Sequence, residues 1–202
     1  MSISLEKGQR ISLEKNGAGL GKVCVGINWG AIEKKGFFGG IKKEAVDLDA
    51  SAAIYSASNE LGPVVYFGKL KSPCGSIQHS GDDLTGDMDG DDGLDNEIIT
   101  IDLNKLAPSA DKVAVVLNSF RGHDFKTIPF ASLRLYEGTP TRVDNVIASY
   151  NIANEPKFHG SVSMVLGVLY RKDGGWKFRA VGEPTSDKNL EGTLRTVQSN
   201  YL

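Results

Sequence analysis

The chain has 202 residues, of which 40% are hydrophobic and 24% are charged, proportions ordinary for a soluble globular protein. The net charge of −2 and the lack of a long Lys/Arg block argue against nucleic acid as the main partner. No stretch has the apolar length of a membrane span, and the N-terminus lacks the basic and apolar regions of a signal peptide. We therefore expect a cytoplasmic protein that folds as a single domain over residues 1–202.

Most of the predicted elements are short strands, because apolar and polar residues alternate along many segments. Strands are predicted at 3–7, 11–15, 22–29, 45–55, 64–67, 97–103, 112–120, 133–136, 146–152, 161–170 and 176–181. We expect a loop over the Gly- and Lys-rich segment 30–43 and a short helical turn within 124–132. Apolar residues from Leu190 to Tyr201 recur at helical spacing and predict a C-terminal helix. The pattern lacks βαβ alternation, so we predict an all-β fold: a β-sandwich of two mainly antiparallel sheets.

An acidic loop dominates the middle of the chain. Eight of the 25 acidic residues lie between Asp82 and Glu97, with no Lys or Arg among them, so the 23 basic residues outnumber the other 17 acids. Three glycines in this segment allow tight turns that bring backbone carbonyls inward. Carboxylates and carbonyls on a flexible loop are ligands for a hard cation, calcium first. The alternative is a solvated acidic loop, which most charge runs are.

Two further carboxylates lie upstream on a predicted strand. Asp47 and Asp49 share one strand face, opposite the apolar face of the same strand, and both could reach the cation of the acidic loop. The alternative is a pair of solvated acids. An EF-hand is excluded by its register: counted from Asp87, position 6 is Asp92 instead of Gly, and position 12 is Ile98 instead of Glu.

Several separate motifs occur together and in order along the chain. They are DLDAS from Asp47, KSP from Lys71, HSGDDLTG from His79, DGDD from Asp89 and WKFRAVG from Trp176. With these motifs the chain resembles the tellurium-resistance TerD family of bacterial stress proteins over essentially its whole length. The resemblance implies a two-sheet β-sandwich, a pair of neighbouring calcium sites and a role in resistance to tellurite and other stresses.

The resemblance and the loop chemistry together give a set of candidate ligands for about two calcium ions. These are Asp47, Asp49, Asp82, Asp83, Thr85, Gly86, Asp87, Asp89, Asp91, Asp92 and Glu97. An apparent insertion over 93–96 separates Glu97 from the rest and leaves open whether Asp95 takes its place. We expect His79 to orient the loop by hydrogen bonding and Trp29 to belong to the core.

No catalytic motif of a hydrolase, nucleotide-binding enzyme or metalloprotease is present, so we expect a protein that is not an enzyme. Our prediction is a calcium-binding stress protein whose ordered loop presents a surface to other stress or tellurium-resistance proteins, with a peripheral membrane complex left open. The alternatives are a calcium-dependent sandwich that binds sugars or lipid head groups and, less favoured, a metal-dependent enzyme. Cys24 and Cys74 are expected to be reduced and partly buried, with a Cys24–Cys74 disulfide as the alternative.

Overall fold

Two six-stranded sheets form the body of the computed structural model, which describes residues 3–4, 8–35, 39–153 and 155–202. The first sheet contains, in spatial order, β1 (Ile3–Ser4), β14 (Arg142–Asn151), β13 (Ala131–Thr139), β5 (Lys22–Trp29), β11 (Glu97–Asp102) and β10 (Ile77–His79). The second sheet contains β2 (Arg10–Ser12), β16 (Gly175–Thr185), β15 (Ser163–Lys172), β12 (Lys112–Ser119), β8 (Leu48–Tyr55) and β9 (Leu61–Val65). Neighbouring strands are antiparallel, except that β1 pairs in parallel with β14. The predicted all-β sandwich is confirmed.

The smaller elements lie outside these sheets. Two hairpins consist of β3 (Glu14–Lys15) with β4 (Ala18–Gly19), and of β6 (Ile32–Lys35) with β7 (Ile41–Glu44). The helical elements are two 3-10 turns, Phe125–Thr127 and Pro156–Phe158, and the C-terminal helix α1 (Leu190–Asn200). The prediction of a loop over 30–43 was therefore wrong at 32–35 and 41–43, where the structure has strands. The β6–β7 hairpin is largely exposed and rich in Lys and Glu, so it lacks the apolar alternation by which a strand is recognised.

The core lies between the two sheets. Side chains alternate between the faces of a strand, so every second residue of a central strand enters the core. Fully buried core residues include Val23, Val25 and Ile27 of β5 and Val113, Val115 and Leu117 of β12. Val46, Leu48 and Ala50 join the same cluster, as their alternation predicts.

Helix α1 covers the outer face of the second sheet. Leu194 and Val197 pack against Ala114 and Val116, which lie on the face of β12 that points away from the core. The Asn189 side chain caps the helix by accepting a hydrogen bond from the Gly192 backbone N–H at 2.9 Å. This confirms the predicted terminal helix. No helix in the described ranges combines the length and the apolar character that crossing a membrane requires.

The two cysteines occupy different environments. Both are free; Cys24 is buried on β5, and burial raises the pKa of its thiol. Cys74 is exposed, so the expectation that both cysteines are partly buried was wrong. The loop around Cys74 lies at the protein surface, and the local sequence contains no apolar alternation that would have settled this point.

Candidate metal centre

A first cluster of carboxylates lies where β8 begins. One oxygen each from Asp47, Asp49 and Asp82 lies within 4.8 Å of the others. Asp47 and Asp49 are only 2% and 6% exposed, whereas Asp82 is exposed. The structure thus brings the upstream strand and the acidic loop together as predicted, and it does not support the alternative of two solvated acids.

The electrostatics of this cluster oppose ionisation. Burial, followed by the charges of Glu97 and Asp47, raises the pKa of Asp49 to about 7. Burial and the charge of Asp82 also raise the pKa of Asp47. The Oδ1 atom of Asp47 is buried and has no hydrogen-bond partner in the described part of the chain, while its Oδ2 lies 3.4 Å from Arg121 Nε. Converging buried carboxylates with an unsatisfied oxygen are a donor set that suits a hard cation.

A second cluster lies within the acidic loop itself. One oxygen each from Asp87, Asp91 and Asp92 lies within 4.8 Å of the others. The backbone of Asp87 is held against the end of β5: its N–H donates to the Trp29 carbonyl at 2.9 Å, and its carbonyl accepts from the Ala31 N–H at 3.1 Å. These bonds fix one acid of the cluster to the first sheet.

Two asparagines hold the side chains of the second cluster. Asn28 of β5 donates from Nδ2 to Asp91 Oδ1 at 2.9 Å, and Asn96 donates from Nδ2 to Asp87 Oδ1 at 3.0 Å. Neither asparagine was predicted from the sequence. The position of Asn96 inside the acidic segment could have identified it. Asn28 lies in a strand whose sequence is typical of the core, so no signal in the sequence marks it as part of the site.

Asp83 and Thr85 shape the loop between the clusters. Asp83 Oδ1 accepts hydrogen bonds from the backbone N–H groups of Thr85 and Gly86, both at 2.9 Å, and from Thr85 Oγ1 at 3.1 Å. Burial opposes ionisation of Asp83, but these bonds outweigh it and lower its pKa. The Thr85 carbonyl accepts from the Val46 N–H at 3.0 Å and so ties the loop to the upstream strand.

Gly86 rests on the indole of Trp29. Its φ of +65° is rarely adopted by a residue with a side chain, and a Cβ there would lie 2.5 Å from two atoms of the Trp29 ring. Trp29 is fully buried, as predicted, and donates from Nε1 to the Val46 carbonyl at 2.8 Å. The Trp29 side chain therefore contacts both the acidic loop and the segment that precedes β8.

Glu97 lies fully buried between the loop and β8. Its Oε2 accepts from the Ala50 N–H at 2.7 Å and lies 3.3 Å from His79 Nε2, while its Oε1 accepts from the Asp83 N–H at 3.3 Å. Burial raises the pKa of Glu97. The Gly81 N–H donates to His79 Nδ1 at 3.1 Å, so His79 orients the start of the loop as predicted. Glu97 belongs to neither carboxylate cluster among the described residues, and its role as a ligand stays a prediction.

Asp89 and Asp95 belong to neither cluster among the described residues, although both line one pocket with Asp87 and Asp92. The Asp89 side chain is 96% exposed and forms an ion pair with Lys43 Nζ at 2.7 Å. Asp95 is buried and forms an ion pair with Arg134 Nε at 2.7 Å. Gly26 leaves room for this pair, since a Cβ at that position would lie 2.0 Å from an Asp95 oxygen. Arg134 thus pairs with Asp95, the residue that was left open as a substitute ligand for Glu97.

Comparison with known proteins gives matches along nearly the whole chain. The family model described as TerD domain matches residues 1–196. Stress response protein SCP2 of Bacillus subtilis (strain 168) is 39% identical over 204 residues, which cover 96% of this chain and 98% of the relative. Tellurium resistance protein TerZ of Serratia marcescens is 32% identical over 202 residues, which cover 99% of each chain.

A solved structure matches the fold. It is that of SCO6318 from Streptomyces coelicolor A3(2), described as a homologue of telluride resistance protein (TerD). Its TM-score is 0.64 at 21% identity, over 90% of this chain and 97% of the other. The family match and the two relatives also agree with the motifs found in the sequence. The chain therefore belongs to the TerD family.

Proposed function

We propose that this chain is a non-catalytic calcium-binding protein of the stress response and of tellurite resistance. The names of its relatives, which are stress response and tellurium resistance proteins, support the biological role. The two carboxylate clusters support a capacity for about two ions. The observation that carries the proposal is the buried Oδ1 of Asp47, which has no hydrogen-bond partner among the described residues and lies among three converging carboxylates.

The negative charge of the first cluster favours a divalent cation. Three carboxylates within 4.8 Å of one another repel, and the raised pKa of Asp49 shows how strongly its burial disfavours a further negative charge. A divalent cation offsets that repulsion. Calcium accepts six to eight oxygen ligands in irregular arrangements, whereas magnesium requires near-octahedral geometry and dehydrates reluctantly. Asp47, Asp49 and Asp82 would hold one ion, and Asp87, Asp91 and Asp92 the other.

Calcium would act on the protein by ordering the acidic loop. The loop spans both clusters, so a cation at either one would add to the hydrogen bonds of Asp83, Thr85 and Asp87 that hold its backbone. Leu84 and Leu94 project from the loop with 51% and 65% of their surface exposed. An ordered loop would hold these apolar side chains in place for a protein partner, for which we propose other stress or tellurium-resistance proteins in the cytoplasm. Such a role requires no chemistry on a substrate.

The proposal is tested by calorimetric titration of the full chain with calcium. We expect about two ions for the wild type and one fewer for Asp49→Asn and for Asp91→Asn, which each remove a charge from one cluster. Asp144→Asn is the matched control, because Asp144 is an exposed acid paired with Arg142 outside both clusters. An absence of heat with the wild type, or unchanged stoichiometry in both cluster variants, would contradict the proposal.

A further inference from the structure

A cavity of about 250 Å³ lies on the outer face of the second sheet, beside the C-terminal end of α1. Tyr201 and Leu202, which follow the helix, line one side of it, and the rest of the lining comes from β2, β12, β15 and β16. Lys112 of this lining begins β12, whereas Asn118, near the other end of the same strand, pairs with Asp49. The cavity and the first carboxylate cluster therefore lie at opposite ends of the second sheet.

The lining of this cavity is strongly basic. Four of its side chains are cationic, namely those of Arg10, Lys112, Lys172 and Arg179. No Asp or Glu of the described residues belongs to the lining, and the terminus at Leu202 adds one carboxylate at most. The chain as a whole has a net charge of −2, so this local excess of positive charge does not follow from the composition.

Strand register brings two of these cations side by side. Arg179 of β16 is paired directly with Arg10 of β2 on one side and with Val168 of β15 on the other. Directly paired residues of antiparallel strands point to the same face, and Val168 packs with Leu194 of α1 on the outer face. Both guanidinium groups therefore lie on the side of the cavity, where like charges in opposed positions destabilise a sheet. Burial, followed by the charge of Arg10, lowers the pKa of Arg179.

Partners within the fold offset only part of this charge. Lys112 Nζ forms an ion pair with Asp111 Oδ2 at 2.7 Å, and Arg179 donates to the Tyr201 carbonyl at the end of α1. A cation at a helix C-terminus complements the helix dipole, which gives Arg179 a structural role. Arg10 and Lys172 are exposed and form no ion pair within the part of the chain that the structure describes. The needs of the fold thus leave these two cations unexplained.

Two tyrosines supply the aromatic part of the lining. Tyr170 lies directly opposite Lys112 across β12 and β15, and Tyr201 follows α1. Both side chains are half-buried. A phenol ring offers apolar contact surface, and its hydroxyl group donates a hydrogen bond to an anion. The cavity therefore combines positive charge with surface for an organic group.

We propose that this cavity binds a small phosphate monoester, whose phosphate group is held by Arg10, Lys172 and Arg179. The organic group packs on Tyr170 and Tyr201. A phosphate monoester carries about −1.5 to −2 charge at pH 7 and accepts bidentate hydrogen bonds from a guanidinium group. It therefore offsets the repulsion between the paired arginines better than a carboxylate, which carries a single charge.

Size and position define the ligand further. The volume lies just below the range of about 300–1,000 Å³ that is usual for ligand sites, which favours a small soluble molecule over an extended polymer. The inference does not rest on the proposed calcium role, because no residue of the two carboxylate clusters lines this cavity.

The test is calorimetric titration of the full chain with phenyl phosphate and with glycerol phosphate. Calcium is first removed on a chelating resin, so that phosphate cannot bind through calcium in the acidic loop. We expect both esters to bind, and we expect benzoate, which has a similar ring but one charge, to bind at least tenfold more weakly than phenyl phosphate. Sedimentation with vesicles of phosphatidylcholine and phosphatidic acid separates a soluble phosphate monoester from a lipid one.

Two double variants assign the binding to this cavity. Arg10→Gln with Lys172→Gln removes two exposed cations, so we expect an unchanged melting temperature and phenyl phosphate affinity at least tenfold weaker. Lys42→Gln with Lys126→Gln is the matched control, because it removes the same charge at exposed positions outside the cavity. We expect wild-type affinity for this control.

The proposal is overturned if neither soluble ester binds, or if benzoate binds as tightly as phenyl phosphate. It is also overturned if the Arg10, Lys172 double variant keeps wild-type affinity, if both double variants lose affinity equally, or if the protein binds only the phosphatidic acid vesicles. Binding of a soluble ester by a protein that takes up no calcium would support this inference and reject the calcium role alone.

Discussion

At the residue scale, the site depends on a few positions where chain geometry and packing leave no alternative. Gly86 turns the loop over the Trp29 ring at φ +65°, and Asp83 holds the turn by accepting from three donors. Asp49 is placed in a buried, like-charged environment that raises its pKa to about 7. Each of these features makes a distinct prediction.

Replacing Gly86 with alanine should destabilise the fold more than the backbone conformation alone explains. A non-Gly residue in the left-handed region costs about 1–2 kcal/mol, and here the Cβ also collides with the buried Trp29 ring. Gly75→Ala is the control, because Gly75 has φ +68° and no atom of the described residues lies within 4 Å of a Cβ built there. We expect urea denaturation to show a larger loss of unfolding free energy for Gly86→Ala than for Gly75→Ala. Equal losses would show that the Trp29 ring moves aside without cost.

The raised pKa of Asp49 predicts how the chelated protein responds to pH. Between about pH 4, where an unfolded Asp titrates, and about pH 7, the folded state keeps a proton that the unfolded state has lost. Stability of the chelated protein should therefore fall as pH rises through this window, and calcium should restore it at the upper end. We expect a flatter melting-temperature profile for Asp49→Asn and a wild-type slope for Asp144→Asn. A wild-type slope in Asp49→Asn would show that other groups dominate.

At the scale of elements, β5 is the common support of the site. Its last residues contribute the Trp29 ring under Gly86 and the Asn28 amide that binds Asp91. Earlier in the same strand, Gly26 leaves the space in which Asp95 meets Arg134 of β13. The end of the acidic loop is thus attached to the first sheet by a half-buried ion pair, in the segment whose role the sequence left open.

Breaking this ion pair from one side should be costly. Arg134→Met removes the ionic partner of the Asp95 carboxylate and leaves it the hydrogen bond of Tyr136. The Asp95 side chain is 3% exposed but that of Arg134 is 26% exposed, so we expect a loss of about 1–3 kcal/mol, less than for a fully buried pair. The double variant Arg134→Met with Asp95→Asn removes the stranded charge, so we expect it to recover part of that loss. Chemical denaturation of the single and double variants measures the difference. If the single variant is as stable as the double one, the pair does not hold the loop end.

At the scale of the whole molecule, the sandwich joins segments far apart in the chain. Strands β8 and β11, each next to an edge strand, lie in different sheets, yet Glu97 of β11 accepts from the Ala50 N–H of β8 at 2.7 Å. This bridge, with His79 beside it, closes one end of the sandwich next to the first carboxylate cluster. The acidic residues are therefore gathered at one edge of the molecule by the way the sheets pack.

Protection against tellurite, which we propose for the whole protein, should not depend on thiol chemistry. Cys24 is buried with a raised thiol pKa, and Cys74 is a single exposed thiol. We expect the double variant Cys24→Ala, Cys74→Ser to protect cells from tellurite as the wild type does, whereas Asp49→Asn with Asp91→Asn should not. Survival in graded tellurite at matched protein levels measures this; loss of protection in the cysteine variant alone would point to thiol reactivity.

The sequence by itself determined the features that depend on neighbours along the chain. Alternation placed Val46, Leu48 and Ala50 in the core and Asp47 and Asp49 on the other face, because successive side chains of a strand point to opposite sides. Helical spacing placed α1, and the local density of acids marked the loop. A charged, exposed hairpin such as β6–β7 carries no such periodic signal, and it was missed for that reason.

Only the tertiary structure decided how the acids are divided. One continuous acidic segment became two separate clusters, because Asp82 meets β8 while Asp87, Asp91 and Asp92 gather at the end of β5. Asp89 and Asp95 line a pocket with Asp87 and Asp92 but form ion pairs with Lys43 and Arg134, which are distant in sequence. A carboxylate's role depends on which cation, donor or ring the fold brings to it. Those partners come from other strands. The acidic segment alone therefore indicates a metal site but does not show which of its carboxylates bind the ion.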